Sequence, residues 1–416
     1  MKTSELAIQV HRFGAAFTQV FPLIGRKLNM SLNNIMILYS AGVAFYYFVC
    51  YVLCGRVLKR YDIAIGLLLF NILFVTNTFF WMQAELPLGV ATLFVLYAFL
   101  HSELALKNLV VTYIIAAFLV VTVSFFHPLL FIPSLYIFLY HREEWKNSKK
   151  RYLLLFAAIV FIAAELVKAK WFGNPYDTTA TDQSKNIKKF FPNYWDLYST
   201  KTFIKDWMGK FIWIPITSVL IIIYAIIKRR WIDLVLFLSF FAGYTVLICA
   251  SYPTASTEPF YIENLFLPIA IIIGLPFIFI VIPQLNKKVT IAMFALMIVV
   301  GGVRIYSKRS FYTQRIAWIR DFIDKHENEK LLVSPDKVPM QTLLMTWGSS
   351  YEFWLLSTSE RDKTASIIID ENYKSFLTSH WDTRMFRTKW DHVTYDDLPK
   401  QYFKFADTTT AYKILE

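Results

Sequence analysis

The stretch that decides the fold is TEPFYIENLFLPIAIIIGLPFIFIVIP, residues 257–283. From Asn264 to Pro283 it carries no charge, and a helix needs roughly 20 such residues to cross a hydrocarbon layer about 30 Å thick. Runs of this kind recur along the chain. Apolar windows lie at 33–54, 62–81, 87–101, 109–126, 128–140, 152–168, 211–227, 232–250, 264–283 and 289–303, with the charges gathered between them. Of the 416 residues 56% are hydrophobic and 18% charged, less charge than the ~25% of soluble domains, and the mean hydropathy is +0.44. One soluble core has no use for so many windows. The pattern predicts an all-α polytopic membrane protein of about ten transmembrane helices. The fifth window is short, carries Pro133 and is parted from the fourth only by His127 and Pro128, which predicts a tilted, broken or re-entrant segment.

Charge then sets the expected orientation. The net charge of +13 is not a nucleic-acid footprint, because the basic residues sit in short blocks beside apolar runs and no basic tail or recognition motif is present. Five alternate connections carry Arg56, Lys59 and Arg60; Lys107; Arg142, Lys146, Lys149, Lys150 and Arg151; Lys228, Arg229 and Arg230; and Lys287 and Lys288. The turns at 82–86, near 127 and at 251–263 carry no Lys or Arg. The positive-inside rule makes the first set cytoplasmic. The 169–210 loop, the turn at 257–264, the N-terminus and everything after residue 304 are then expected outside, in a bacterial inner membrane with a periplasmic C-terminal domain. Residues 1–30 read as an amphipathic helix on the outer interface, 31–303 as the transmembrane helical domain, and 304–416 as a small extracytoplasmic α/β domain. In the last, YTQRIAWIRDFIDKHENEK (312–330) has an apolar helical face, LLVS and SIIID read as strands, and FKFAD and AYKIL predict a closing hairpin. Cys50, Cys54 and Cys249 all lie in apolar windows and form no CxxC, so they are expected as small core residues.

Polar groups at the outer membrane edge are the candidates for chemistry, because ionisable groups at membrane depth usually face a bundle interior or a wet cavity. Glu85 lies in WMQAELPLG, His127 in SFFHPLL, Glu165, Lys168 and Lys170 in AAELVKAKWFG, and Glu258, Glu263 and Asn264 in the opening stretch. Each has a plain reading as well: Glu85 as a helix-start carboxylate, His127 as a turn residue, and the two lysines as snorkelling groups. The functional alternative makes Glu85 and Glu263 catalytic, and the lysines a phosphate-binding pair. The 169–210 loop is dense in aromatics interleaved with polar groups, among them Tyr176, Asp177 and Trp195. They serve either as interfacial anchors or as a sugar-binding cleft. Asp177, Asp182 and Asp196 form no DxD pair, so a divalent cation has only weak support and no cofactor or metal is expected. Walker A, GxGxxG, HExxH and GxSxG motifs are all absent.

Four segments, TFFWMQAELPLG (78–89), FFHPLLFIP (125–133), WFGNPYD (171–177) and YIENLFLP (261–268), resemble the GT-C superfamily of integral-membrane glycosyltransferases, in particular GT-C-like proteins of Bacteroidetes-type bacteria. The resemblance covers about residues 10–303 and its motifs are moderately specific. It implies transfer of a sugar from a polyprenyl-phosphate carrier at the outer face, with Glu85 or Glu263 as general base. Lys168 or Lys170 would hold the phosphate, and His127, Tyr176, Asp177, Trp195, Glu258 and Asn264 would contact substrate. The chain departs from the family pattern in lacking the first span and the acidic residue of the first outer loop; Glu5 is the sole acid before the first window. Three readings of that departure stand open: lost activity in a silent subunit with protein partners in an envelope complex, a chain that starts late, or replacement of the acid by Glu85. A lipid or solute transporter is a further alternative, weakened because the mid-span polar groups are mostly Asn71, Thr76 and Asn77.

Overall fold

The computed structural model describes residues 6, 8, 11–80, 85–103, 108–140, 146–173, 185–253, 259–344, 346, 348–374, 386–387 and 392–415. The chain forms two compact units, one of residues 8–17 and 43–307, the other of residues 1–7, 18–42 and 308–416.

Helices α1 (Ala16–Lys27) and α2 (Leu32–Val52) run from the start of the chain, and α2 continues through a π-helical turn, Leu53–Val57. The larger unit then holds α3 (Tyr61–Leu73), α4 (Glu85–Leu100), α5 (Leu109–Ser124), α6 (Phe131–Tyr140) and α7 (Ser148–Trp171). After them come α8 (Asn186–Phe190), α9 (Tyr198–Met208), α10 (Trp213–Ile227), α11 (Trp231–Ser251), α12 (Pro259–Phe266), α13 (Ile269–Pro276) and α14 (Lys287–Ser307). Local chemistry fixes several starts. Asn108 accepts the Val111 amide ahead of α5, and Asn147 accepts the Lys149 and Lys150 amides ahead of α7, each satisfying donors a helix start leaves open. Helix α4 is the centre. Every residue from Leu86 to Leu100 is buried, as expected of a helix apolar on all sides. Gly89 lets it approach its neighbour: a Cβ there would lie 2.4 Å from a Leu130 methyl and 2.8 Å from Phe126 Cβ.

Among the described residues five helices are long and apolar enough to cross a membrane: Leu32–Val57, Ser148–Trp171, Trp231–Ser251, Glu263–Gln284 and Lys287–Lys325. The pair α9 and α10 passes the same test together but bends by 82° at its break. The windows read at 62–81, 87–101, 109–126 and 128–140 are apolar helices too, but shorter, at Tyr61–Leu73, Glu85–Leu100, Leu109–Ser124 and Pro128–Tyr140. At about 1.5 Å per residue these rise only some 20–24 Å. Helix α3 is short because it stops at Leu73, and α6 because it begins only after His127 and Pro128.

The smaller unit carries α15 (Arg309–Lys325), β1 (Lys330–Val333), α16 (Met340–Leu343), α17 (Ser349–Glu360), β2 (Ser366–Ile369), β3 (Phe386–Arg387), β4 (His392–Val393) and β5 (Lys413–Leu415). The sheet order is β2-β1-β5, with both pairings parallel. Strands β1 and β2 are buried along their whole length, as parallel strands covered on both faces must be. Leu331, Val333, Ile367 and Ile369 pack with Ile319, Phe322 and Ile323 of α15, while Leu332 and Ile368 pack with Trp354, Tyr402, Phe403 and Tyr412. The hairpin expected from FKFAD and AYKIL is corrected: Lys413–Leu415 pairs parallel to β1, and Phe405 makes an isolated parallel bridge to Thr364. A single bridging residue in FKFAD is too short to pair with β5, and the open edge of β1 takes that strand instead.

Candidate functional site

Two polar clusters are set into the larger unit. The first forms around the junction of α5 and α6. His127 precedes the 3-10 turn Pro128–Leu130, and its Nδ1 accepts the Leu129 amide at 3.2 Å, which leaves the proton of the neutral ring on Nε2. Lys168, near the end of α7, donates from Nζ to the carbonyl of Ser124, the last residue of α5, at 2.8 Å. A cation at a helix C-terminus is favourably placed against its dipole. Glu165 lies one turn before Lys168 and feels its charge. From the N-terminal segment, Arg12 reaches Glu85 at the start of α4, with 3.6 Å between Nη1 and Oε2 and the two side chains 11% and 25% exposed. The charges of Arg12 and Lys168 both reach His127. Aromatic contacts deliver Arg12 to this place: His11 and Phe13 pack on Phe172, and Phe13 on Phe125. Arg12 thus pairs with Glu85 and, together with Lys168, sets its charge on His127; it is a partner that sequence reasoning missed. Its signal was a basic residue just ahead of the apolar face of Phe13, Phe17, Val20 and Phe21.

The second cluster is built on a break. After Leu73 the chain leaves the helix and resumes as a 3-10 turn at Asn77–Phe80. A helix end inside an apolar bundle exposes carbonyls behind it and amides ahead of it, and both need partners. Arg304 of α14 supplies the donors: Nη2 lies 2.8 Å from the carbonyl oxygens of Ile72 and Leu73 and 3.1 Å from that of Val75, and Nη1 donates to the Lys210 carbonyl. Glu263 of α12 supplies the acceptors. Its Oε2 takes the amides of Thr76 and Thr78 at 3.1 Å each and the Thr78 hydroxyl at 3.0 Å; its Oε1 takes the Asn77 amide at 3.3 Å and the Thr76 hydroxyl. Glu263 is 3% exposed, and these donors occupy both carboxylate oxygens. Glu263 and Arg304 therefore staple the two sides of one break, and the charge of Glu263 reaches Arg304. Neighbouring Asn264 and Asn77 each bury an Oδ1 with no hydrogen-bond partner among the described residues. A cavity of about 20 Å³, lined by Asp206, Trp207, Phe211 and Glu263 among others, adjoins the staple; that is room for about one water.

The remaining candidates stand apart. Lys170 is exposed, with Nζ 4.7 Å from the centre of the Trp171 ring. Trp195 is 72% exposed and enters neither cluster. Tyr176, Asp177 and Glu258 lie outside the described residues. No group of three or more His, Cys, Asp or Glu side chains among the described residues is arranged to hold a metal ion. Comparison with protein-family models, with curated proteins and with solved structures gave no match.

Proposed function

We propose that the chain is a GT-C-like membrane glycosyltransferase that uses a polyprenyl-phosphate-linked sugar at the outer face of a bacterial inner membrane. The observation that carries this reading is the Arg12–Glu85 ion pair together with Lys168 on the Ser124 carbonyl at the end of α5, with the charges of Arg12 and Lys168 both acting on His127. On this reading the ten apolar helical segments traverse the membrane, and the C-terminal unit lies in the periplasm. Glu85 accepts the proton of an acceptor hydroxyl as that oxygen attacks the anomeric carbon, and the bond to the lipid phosphate breaks with its electron pair leaving on the phosphate. Arg12 and Lys168 hold that anion, and His127 donates from Nε2. Glu263 has no acceptor capacity to spare, so the base is assigned to Glu85 alone. The test is turnover of a polyprenyl-phosphate-linked sugar by purified protein in liposomes. Glu85→Gln should lower turnover at least a hundredfold with unchanged folding, since general-base catalysis contributes about 10²–10⁴-fold. Equal turnover in Glu85→Gln removes the assignment.

A second reading, a non-catalytic subunit of an envelope complex, draws on the engagement of the two carboxylates read as catalytic: Glu85 by Arg12, and Glu263 by Thr76–Thr78. It requires stoichiometric co-purification with partner chains and function that survives Glu85→Gln.

A further inference from the structure

The connection from Lys185 to Met208 carries a surface that neither polar cluster uses. Helix α9 docks by one face: Ser199, Thr200 and Phe203 are buried, Ser199 Oγ donates to the Cys249 carbonyl at 2.8 Å, and the Phe203 ring lies 4.3 Å from that of Phe266. Its other face repeats at helical spacing through Lys201, Ile204, Lys205 and Met208, all exposed. Phe191, Trp195 and Tyr198 continue the surface at 75%, 72% and 55% exposure. Lys185, Lys188 and Lys189 of the same connection are exposed as well, so five exposed lysines stand against one exposed carboxylate, Asp196, which lies 3.5 Å from Lys201. The second acid of the stretch, Asp206, is turned to Lys210, 3.1 Å away.

Geometry says what covers this surface. Helix α9 meets α10 at 82°, and α10 is an apolar helix of 15 residues. If α10 runs along the membrane normal, α9 runs in the membrane plane. A face of Trp, Tyr, Phe, Ile and Met mixed with lysine suits neither bulk water nor hydrocarbon. It suits the boundary, where aromatic rings sit at headgroup level and lysine stems reach outward to phosphates. We propose that residues 185–208 form an in-plane platform that binds the headgroup layer of anionic lipids. The lysines supply the preference for anionic over zwitterionic headgroups, about fivefold in partitioning for each lysine near the surface. The inference does not depend on the glycosyltransferase reading.

The test uses the full-length protein in nanodiscs of phosphatidylcholine with a minority of phosphatidylglycerol. A nitroxide on Trp195→Cys reports depth through its relative accessibility to oxygen and to a water-soluble nickel chelate; Cys50, Cys54 and Cys249 are at most 5% exposed and will not take the label. The expected result is a label within about 5–10 Å below the phosphates. In parallel, the phosphatidylglycerol retained per protein should fall at least tenfold when Lys188, Lys189, Lys201 and Lys205 are all changed to Gln, while thermal stability holds because these side chains are exposed. A label as nickel-accessible as one in bulk water overturns the proposal. So does phosphatidylglycerol retention that is unchanged in the fourfold variant, or burial of the label only when another protein co-purifies.

Discussion

Removing the Glu263 carboxylate should destabilise the protein in two measurable grades. In Glu263→Gln the side chain retains one acceptor oxygen. It will turn that oxygen to the Oε2 position, where it keeps the Thr76 and Thr78 amides and the Thr78 hydroxyl. The amide nitrogen then faces the Thr76 hydroxyl, which can rotate to accept, and the Asn77 N–H, which cannot. One buried backbone donor is stranded, at a cost of about 1–3 kcal/mol. In Glu263→Ala all three amides lose their partner and Arg304 loses the opposing charge. A water entering the adjoining 20 Å³ cavity recovers part of this, which leaves a loss of about 3–5 kcal/mol. The assay is reversible unfolding in mixed micelles, with amide hydrogen exchange at Thr76–Thr78 as the local readout. The Gln variant should sit between wild type and Ala, with exchange fastest at Asn77. Both variants within about 0.5 kcal/mol of wild type, or Gln as costly as Ala, would refute the staple.

Further expectations follow from the same contacts. Arg304→Met should destabilise by a similar amount to Glu263→Ala, and the double variant should lose less than the sum of the two, because both hold one break. Gly89→Val would push a methyl into Leu130 and Phe126 and should cost about 1–3 kcal/mol or more by thermal unfolding. Arg315, fully buried and paired with Glu352 and the Leu343 carbonyl, should on change to Met cost the lower part of the ~3–5 kcal/mol typical of a broken buried pair, since Glu352 keeps 25% exposure. Hydrogen bonds from Arg320 hold the Glu360 carboxyl below its ordinary value. A depressed folded pKa stabilises above the unfolded pKa of ~4.3 and is lost as pH falls through the folded one. Acid unfolding should therefore contain a small component, under ~1 kcal/mol for an exposed pair, that Glu360→Gln abolishes.

Much of the helical layout was legible because apolar windows are long-range averages. Windows read at 152–168 and 232–250 sit inside α7 and α11, and LLVS and SIIID overlap β1 and β2 within a residue. What the windows hide is where a helix breaks. Residues 62–81 read as one run because Phe74 and Val75 are as apolar as their neighbours, yet the break is set by Glu263 and Arg304, almost two hundred residues or more away. Thr76 and Asn77, read as isolated mid-span polar groups, are the partners that carboxylate binds. The α/β unit misled differently: FKFAD and AYKIL alternate as a hairpin would, but the open edge of β1 takes Lys413–Leu415 in parallel. Among the site candidates, Glu85, His127 and Lys168 were visible as polar groups at run ends. Arg12 and Arg304 were not singled out, since a lone arginine beside an apolar run reads first as an orientation or anchoring charge.

The most direct test of the central claim is photocrosslinking with a diazirine-bearing polyprenyl phosphate, followed by peptide mapping of the reconstituted protein. The account predicts adducts on the segments that hold Glu85, His127 and Lys168, competed by unlabelled polyprenyl phosphate but not by the neutral polyprenol, and lost in Lys168→Met. Adducts elsewhere in the bundle, or equal competition by the neutral alcohol, would contradict it.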